Sequence, residues 1–333
     1  MLEKEIQIGD FILRNRLVMA PVDFELSDLG TVSDRELAYY DTRTASGDIG
    51  LVVAEHAYVS PNGRAVTNQL SIAKDADVPG LTKLVTLVHR NKTSIFLQLS
   101  HGGARIMSSN VSVEGISPSG LPTPMPGAGK GEPIKTHAMS LEEIADLKEE
   151  FVRAALRAKS AGADGIELHM AHGYLLDQFY SPLTNHRTDQ YGGSVENRVR
   201  VVTELLPLLR ENVGDKMVLG IRLGACDYLP GGNTLADGTK AATLLEQAGA
   251  QYISVSGGLC GARHPQNTGV GFFKDAAEAI KQVVKVPVLL TGGVKTRTDA
   301  ESLLAAGNAD MVGVARALIQ NPNWANEAFA KQA

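Results

Sequence analysis

Residues 140–168 read SLEEIADLKEEFVRAALRAKSAGADGIEL, a helix-length segment followed by a short apolar run. Ser140 and Glu143 have the spacing of a capping box, in which a hydroxyl and a carboxylate satisfy the open donors of a helix N-terminus. Ile144, Leu147, Phe151, Ala155 and Leu156 then make an apolar face at helical spacing, while Glu149, Glu150, Arg153 and Lys159 fall mainly on other faces. Such a helix needs a sheet beneath it, and residues 165–168 supply a strand. The same unit recurs along the chain. Short β-branched runs stand at residues 16–20, 49–55, 93–99, 165–168, 217–223, 252–256, 286–290 and 311–314, and Ser33 to Glu36 offers a second capping box. Most runs are apolar throughout and are separated by helix-length segments, the pattern of buried parallel strands covered by helices. Eight units favour a closed barrel over an open doubly wound sheet, because closure leaves no sheet edge exposed and no second domain to explain. The predicted fold is therefore α/β, a single (β/α)8 TIM barrel over residues 1–333 with an N-terminal cap and an extended loop after the third strand.

Composition narrows the function. The chain has 333 residues, 44% of them hydrophobic, which excludes disorder as a whole. A formal charge of -5, with 32 Lys and Arg against 37 Asp and Glu, advertises no polyanion-binding surface, so nucleic acid is not an expected partner. Charged or polar residues interrupt every apolar run before the roughly 18 residues of a membrane span, and the start lacks the basic-then-apolar pattern of a signal peptide. A cytoplasmic protein is expected. Cys226 and Cys260 can form one disulfide but no framework.

Two connections are too long to be ordinary turns. Residues 101–137 leave the third strand with Pro118, Pro122, Pro124, Pro126 and Pro133 among glycines and polar residues. Connections beyond about 15 residues are often lids or binding loops, although a surface insertion or oligomer contact is the alternative. Residues 169–193, HMAHGYLLDQFYSPLTNHRTDQYGG, leave the fourth strand at the barrel face where active sites assemble.

The strand ends carry the chemistry. His169 and His172 can donate hydrogen bonds to a carbonyl or phenolate oxygen, and Tyr174 adds an acidic O–H, a set suited to polarising an oxygen and protonating a nearby carbon. Packed, satisfied side chains are the alternative. Glu167, His169 and His172 do not match the spacing of a HExxH zinc pair, and no metal is expected. Arg222, in VLGIRLGACDY, serves either a delocalised anion or a salt bridge to another strand. Gln98 offers paired amide hydrogen bonds to a planar heterocycle or a core hydrogen bond. Gly292 and Gly293 allow close backbone approach, and Ala315 and Arg316 open a helix whose free N–H groups suit a phosphate, the position where barrels often bind one. Asp23, in NRLVMAPVDF, orients a polar ligand or caps a turn. No GxGxxG or GxxxxGK[ST] sequence points to a nucleotide-binding crossover or P-loop.

Taken in order, NRLVMAP, Gln98 with SHGGAR, HMAHGYLLDQFYSPLTNHRTDQYGGSVENR, IRLGACDY, TGGV and VGVARALIQNP resemble the old yellow enzyme family across almost the whole chain. The resemblance implies a barrel with FMN held noncovalently at its C-terminal face. Ala20, Pro21 and Asp23 would approach the isoalloxazine, Gln98 its pyrimidine side and Arg222 the N1 and C2 carbonyl region. Gly292, Gly293, Ala315 and Arg316 would hold the phosphate. His56 stands where the family commonly presents a small residue near the flavin, and Asp23 where many relatives place Thr or Cys. A carboxylate there disfavours negative charge on reduced flavin unless it is protonated or paired. The implied activity is reduction of FMN by NADH or NADPH, followed by hydride transfer from flavin N5 to an activated alkene such as an enone. His169 and His172 would bind the substrate oxygen and Tyr174 would donate the proton. A flavin or quinone reductase, a flavin-dependent amine dehydrogenase and a nonenzymatic FMN-binding regulatory barrel are the alternatives. Some larger relatives add an iron-sulfur motif and a dinucleotide domain that this chain does not show, which favours direct reduction by a nicotinamide. A homo-oligomer is in keeping with the resemblance.

Overall fold

The computed structural model describes residues 1–106, 114–123 and 134–330. Eight strands close in chain order into a parallel barrel: β1 (Leu17–Met19), β2 (Leu51–Tyr58), β3 (Ser94–Ser100), β4 (Gly165–Met170), β5 (Val218–Cys226), β6 (Tyr252–Gly257), β7 (Val288–Thr291) and β8 (Met311–Val314). Each lies in one of the eight runs marked in the sequence, with ends moved by a few residues. The strands are largely apolar because both their faces are covered, one by the barrel interior and the other by the helix layer. That layer is built from α1 (Asp34–Thr44), α2 (Val78–Arg90), α3 (Leu141–Ser160), α4 (Arg200–Val213), α5 (Leu235–Gln247), α6 (Lys274–Lys281), α7 (Arg297–Ala305) and the short α8 (Arg316–Gln320).

The helix starts follow their local signals. At α3 the capping box closes both ways, Ser140 Oγ accepting from the Glu143 N–H at 3.1 Å and the Glu143 carboxylate from the Ser140 N–H at 2.7 Å. At α1 only half of the box forms. Ser33 Oγ accepts the Glu36 N–H, but both Glu36 carboxyl oxygens are buried without a hydrogen-bond partner. Leu156 also departs from expectation, since it is exposed while Ala154, Ala155 and Ala158 continue the buried stripe of α3. Five residues beyond Phe151 lie about 140° around the helix, off the buried face.

A hairpin of Ile6–Ile8 and Phe11–Leu13 forms the N-terminal cap. Its Ile8 and Leu13 pack with Val18, Leu51, Val53, Phe96, Val218, Tyr252, Leu289 and Met311 at the strand starts, plugging that end of the barrel. Above the plug the interior turns polar. Glu167 accepts from Gln98 Nε2 at 2.6 Å and from the Tyr252 hydroxyl at 2.7 Å. Gly220 leaves room for this, because a Cβ there would stand 1.8 Å from the Tyr252 ring.

One irregularity positions the site. Val53 of β2 pairs with Phe96 of β3, but the next matched pair is His56 with Gln98, so β2 carries one extra residue. A β-bulge of this kind resets side-chain alternation. It turns His56 toward the barrel mouth and leaves Glu55 buried behind it.

In the long segment after β3, Gly115–Ser117 and Thr136–Ala138 pair as two short parallel strands. The expected lid residues 107–113 and 124–133, including Pro124, Pro126 and Pro133, lie outside the described residues. No helix among the described residues is long and apolar enough to cross a membrane.

Candidate functional site

The C-terminal strand ends surround a cavity of about 780 Å³. Every residue singled out for catalysis or cofactor contact lines it: Ala20, Pro21 and Asp23 after β1, His56 on β2, Gln98 on β3, His169, His172 and Tyr174 at and after β4, Arg222 on β5, Gly292 and Gly293 after β7, and Ala315 and Arg316 after β8.

Four rings gather on one side. The His169 and His172 centroids are 5.0 Å apart, Tyr174 lies 4.7 Å from both His169 and His56, and His56 lies 5.7 Å from His169. The turn carrying them is held from behind. His172 adopts a left-handed φ of 60°, its Nε2 pairs with Ser256 Oγ at 2.7 Å, and its carbonyl accepts from Arg105. The Gly173 N–H donates to Asp177 at 2.7 Å, and the Gln178 amide donates to the Gly173 and Gly102 carbonyls. A strained residue fixed by this many bonds is a pre-organised one.

Burial holds both imidazoles well below their usual range, with His172 reinforcing the effect at His169 and Arg222 at His172. Around neutral pH they are uncharged and act as directional N–H donors. Burial likewise raises Tyr174, while the Arg105 guanidinium, 4.5 Å from the ring centroid, pulls it back. Glu167 does not join the histidines as a ligand, being bonded to Gln98 and Tyr252. No cluster of three or more His, Cys, Asp or Glu suited to a metal occurs among the described residues.

Asp23 caps a local turn and also reaches the cavity. Oδ1 accepts the Glu25 N–H at 2.8 Å in a local turn, and Oδ2 faces His56 Nε2 at 3.2 Å inside the cavity. Burial pushes Asp23 up, but His56, the Glu25 N–H and the Glu55 carboxyl together bring it below the ordinary carboxylate value. The carboxylate is thus paired. Its neighbours carry the cost: burial, reinforced by Glu36 and Asp23, lifts Glu55 to about 10, and burial with the charges of Asp23 and Asp28 lifts Glu36 to about 7.

Because the folded value of Glu36 lies above its ordinary value of 4.5, the stability tied to its neutral form is complete below that pH and is lost as pH rises toward about 7. Glu36→Gln is therefore expected to remove about 2–3 kcal/mol of the stability lost between pH 5 and pH 8. Urea unfolding at the two pH values measures it, and the same loss in variant and wild type would refute the assignment.

The rest of the cavity lining suits a planar, phosphate-bearing group. Arg222 lines the cavity with Nε buried and unpartnered, and its guanidinium has no hydrogen bond or ion pair with protein among the described residues. The salt bridge to another strand is not made. Gln98 makes the core bond to Glu167 and still reaches the cavity. Gly292 and Gly293 have φ of 143° and 71°, and a Cβ on Gly293 would come within 2.1 Å of the Gly269 carbonyl oxygen. Lys295 and Arg316 flank them, and Ala315 caps α8 without a side-chain bond. An unpaired cation at one end and a glycine shelf between cations at the other fit the ring edge and phosphate of FMN.

Sequence reading missed Arg105, Ser256, Phe272 and Lys295 as cavity residues. Arg105 sits in the quoted SHGGAR segment and Ser256 ends the sixth run, so a local signal existed for both. Phe272 arrives from the loop after β6, with no pattern in its own neighbourhood to mark it.

Comparison with known proteins agrees with this geometry. The NADH:flavin oxidoreductase / NADH oxidase family matches residues 2–332. An NADH oxidase of Thermoanaerobacter brockii is 38% identical over 97% of this chain, which spans half the length of that relative. An NADPH dehydrogenase of Halalkalibacterium halodurans is 36% identical, with 95% of this chain and 90% of the relative covered. Among solved structures, the old yellow enzyme homologue from Zymomonas mobilis superposes with a TM-score of 0.83 at 26% identity, covering 100% of this chain and 93% of the other. The chain accordingly belongs to the NADH:flavin oxidoreductase / NADH oxidase family, old yellow enzyme-like barrels with FMN as cofactor.

Proposed function

We propose that this barrel reduces activated alkenes such as enones in the cytoplasm, where NADH and NADPH are at hand. The observation that carries the reading is the convergence of two imidazoles kept neutral by burial with a half-buried tyrosine at one cavity wall. FMN, when bound, would supply the hydride chemistry that links a nicotinamide to an alkene. The protein's own groups do the rest. His169 and His172 donate to the substrate carbonyl oxygen and stabilise the negative charge that grows there, and Tyr174 protonates the α-carbon. Arg222 stabilises negative charge at the ring edge, Gln98 orients the ring, and Ala20, Pro21, Asp23 and His56 set its near wall. Gly292, Gly293, Ala315 and Arg316 take the phosphate. Neutral imidazoles suit an uncharged carbonyl, since they bind it without requiring a counter-ion.

The test is a pair of anaerobic half-reactions on purified yellow protein. Reduction by NADH or NADPH followed by reoxidation with 2-cyclohexenone is the expected result. Reoxidation by quinones alone would replace the alkene reading with a quinone reductase. Flavin binding with neither half-reaction would leave a regulatory barrel.

A further inference from the structure

Asp23 and His56 contact each other, and His56 also contacts Tyr174. His56 Nε2 lies 3.2 Å from Asp23 Oδ2 and 3.4 Å from the Tyr174 hydroxyl. Its other nitrogen, Nδ1, lies 2.9 Å from Gln69 Nε2. The orientation of the buried Gln69 amide is fixed at both ends. Oε1 accepts the Ala65 N–H at 2.7 Å, so Nε2 must be the amide group that donates to the His56 carbonyl at 3.0 Å and to Nδ1. A donor facing Nδ1 requires a lone pair there, which places the ring proton on Nε2.

We propose that Gln69 locks His56 in the Nε2–H tautomer and that His56 is a positioning residue which donates this hydrogen bond to Tyr174 as the tyrosine gives up its proton. The inference rests on the alkene-reduction reading. In the step it serves, the Tyr174 O–H bond breaks, its proton forms the C–H bond at the substrate α-carbon, and the electron pair remains on the tyrosine oxygen. The Nε2–H swings from Asp23 toward that oxygen without leaving the ring. Asp23 keeps its charge on the Glu25 N–H and the Glu55 carboxyl. Arg105, over the Tyr174 ring, favours the same charge, and a solvent proton afterwards restores the phenol. Asp23 thus serves as a parking place for the hydrogen bond between turnovers.

Long-range proton–nitrogen NMR of ¹⁵N-labelled protein reads the tautomer directly, with the His56 signals assigned by their loss in His56→Ala. Protonated Nε2 and bare Nδ1 are expected in the wild type. In Gln69→Glu, whose carboxylate draws a proton onto Nδ1, the Nδ1–H signal should appear. In stopped flow, His56→Ala should slow alkene-dependent reoxidation about tenfold, the worth of one hydrogen bond to a developing charge. It should leave the alkene KM unchanged, and His56→Asn, which keeps an N–H, should recover part of the rate. Protonated Nδ1 in the wild type, or wild-type reoxidation in His56→Ala, would overturn the inference while leaving alkene reduction intact. A wild-type enzyme that is reduced by NAD(P)H yet never reoxidised by an alkene would instead overturn the reading beneath it.

Discussion

Tyr174→Phe is expected to load flavin and accept electrons from NAD(P)H as the wild type does, yet to lose alkene-dependent reoxidation by about 10²–10⁴-fold, the range associated with general acid catalysis. The selectivity of this effect follows from where the hydroxyl sits. Tyr174 lines the cavity beside His169, and its hydroxyl has His56 as its one hydrogen-bond partner among the described residues. Removing it therefore takes away an acid without disturbing a cofactor contact. Its ring remains to pack against His56 and His169 and beneath Arg105, so the fold is expected to hold. Rapid-mixing measurement of the two half-reactions separates the outcomes. A variant slowed equally in both would show that Tyr174 works by shaping the cavity, and full activity toward an enone would remove it from proton transfer altogether.

Arg222→Ala is expected to cut FMN affinity by about 10–100-fold, the equivalent of about 1.5–3 kcal/mol for a charged hydrogen bond. Stability of the apoprotein should not fall with it. The guanidinium is buried, burial drives its pKa down, and it has neither hydrogen bond nor ion pair with protein among the described residues. The fold carries an unrecovered desolvation cost at this position, offset by attraction to Glu167 and recovered in full only when a ligand accepts from it. Flavin titration followed by thermal unfolding of the apoprotein tests both halves. Arg222→Lys, which retains charge but loses the planar fork, should fall between wild type and alanine in affinity. Apoprotein destabilised by several kcal/mol in Arg222→Ala would show that the residue is structural.

The barrel was legible because each unit repeats one physical problem, an apolar strand covered by an amphipathic helix, and eight repetitions admit few closed solutions. The site was legible in the same measure, since strand exits mark the mouth and the unusual residues there, His169, His172, Tyr174 and Arg222, stand out against apolar runs. What stayed hidden depended on contacts between distant segments. Nothing near Asp23 announces that His56, 33 residues later, will pair with it. Gln69 reads as a loop residue, yet the loop folds back to present its amide to His56. Glu36 looked like half of a capping box because spacing is all a sequence shows, whereas its carboxyl lies in a buried acidic group assembled from three segments.

The extra residue in β2 has an evolutionary consequence. Even pairing of these same residues with β3, without the bulge and with none lost, would set Glu55 opposite Gln98 and bring it round to the interior in place of the imidazole. Tyr174 would then face a carboxyl group instead of an N–H, with every side chain in the active site still encoded. Pairing register over four residues therefore governs the polarity of this pocket as firmly as residue identity does. A homologue that keeps both the glutamate and the histidine but pairs them with β3 without the bulge would present a carboxyl group to the same tyrosine.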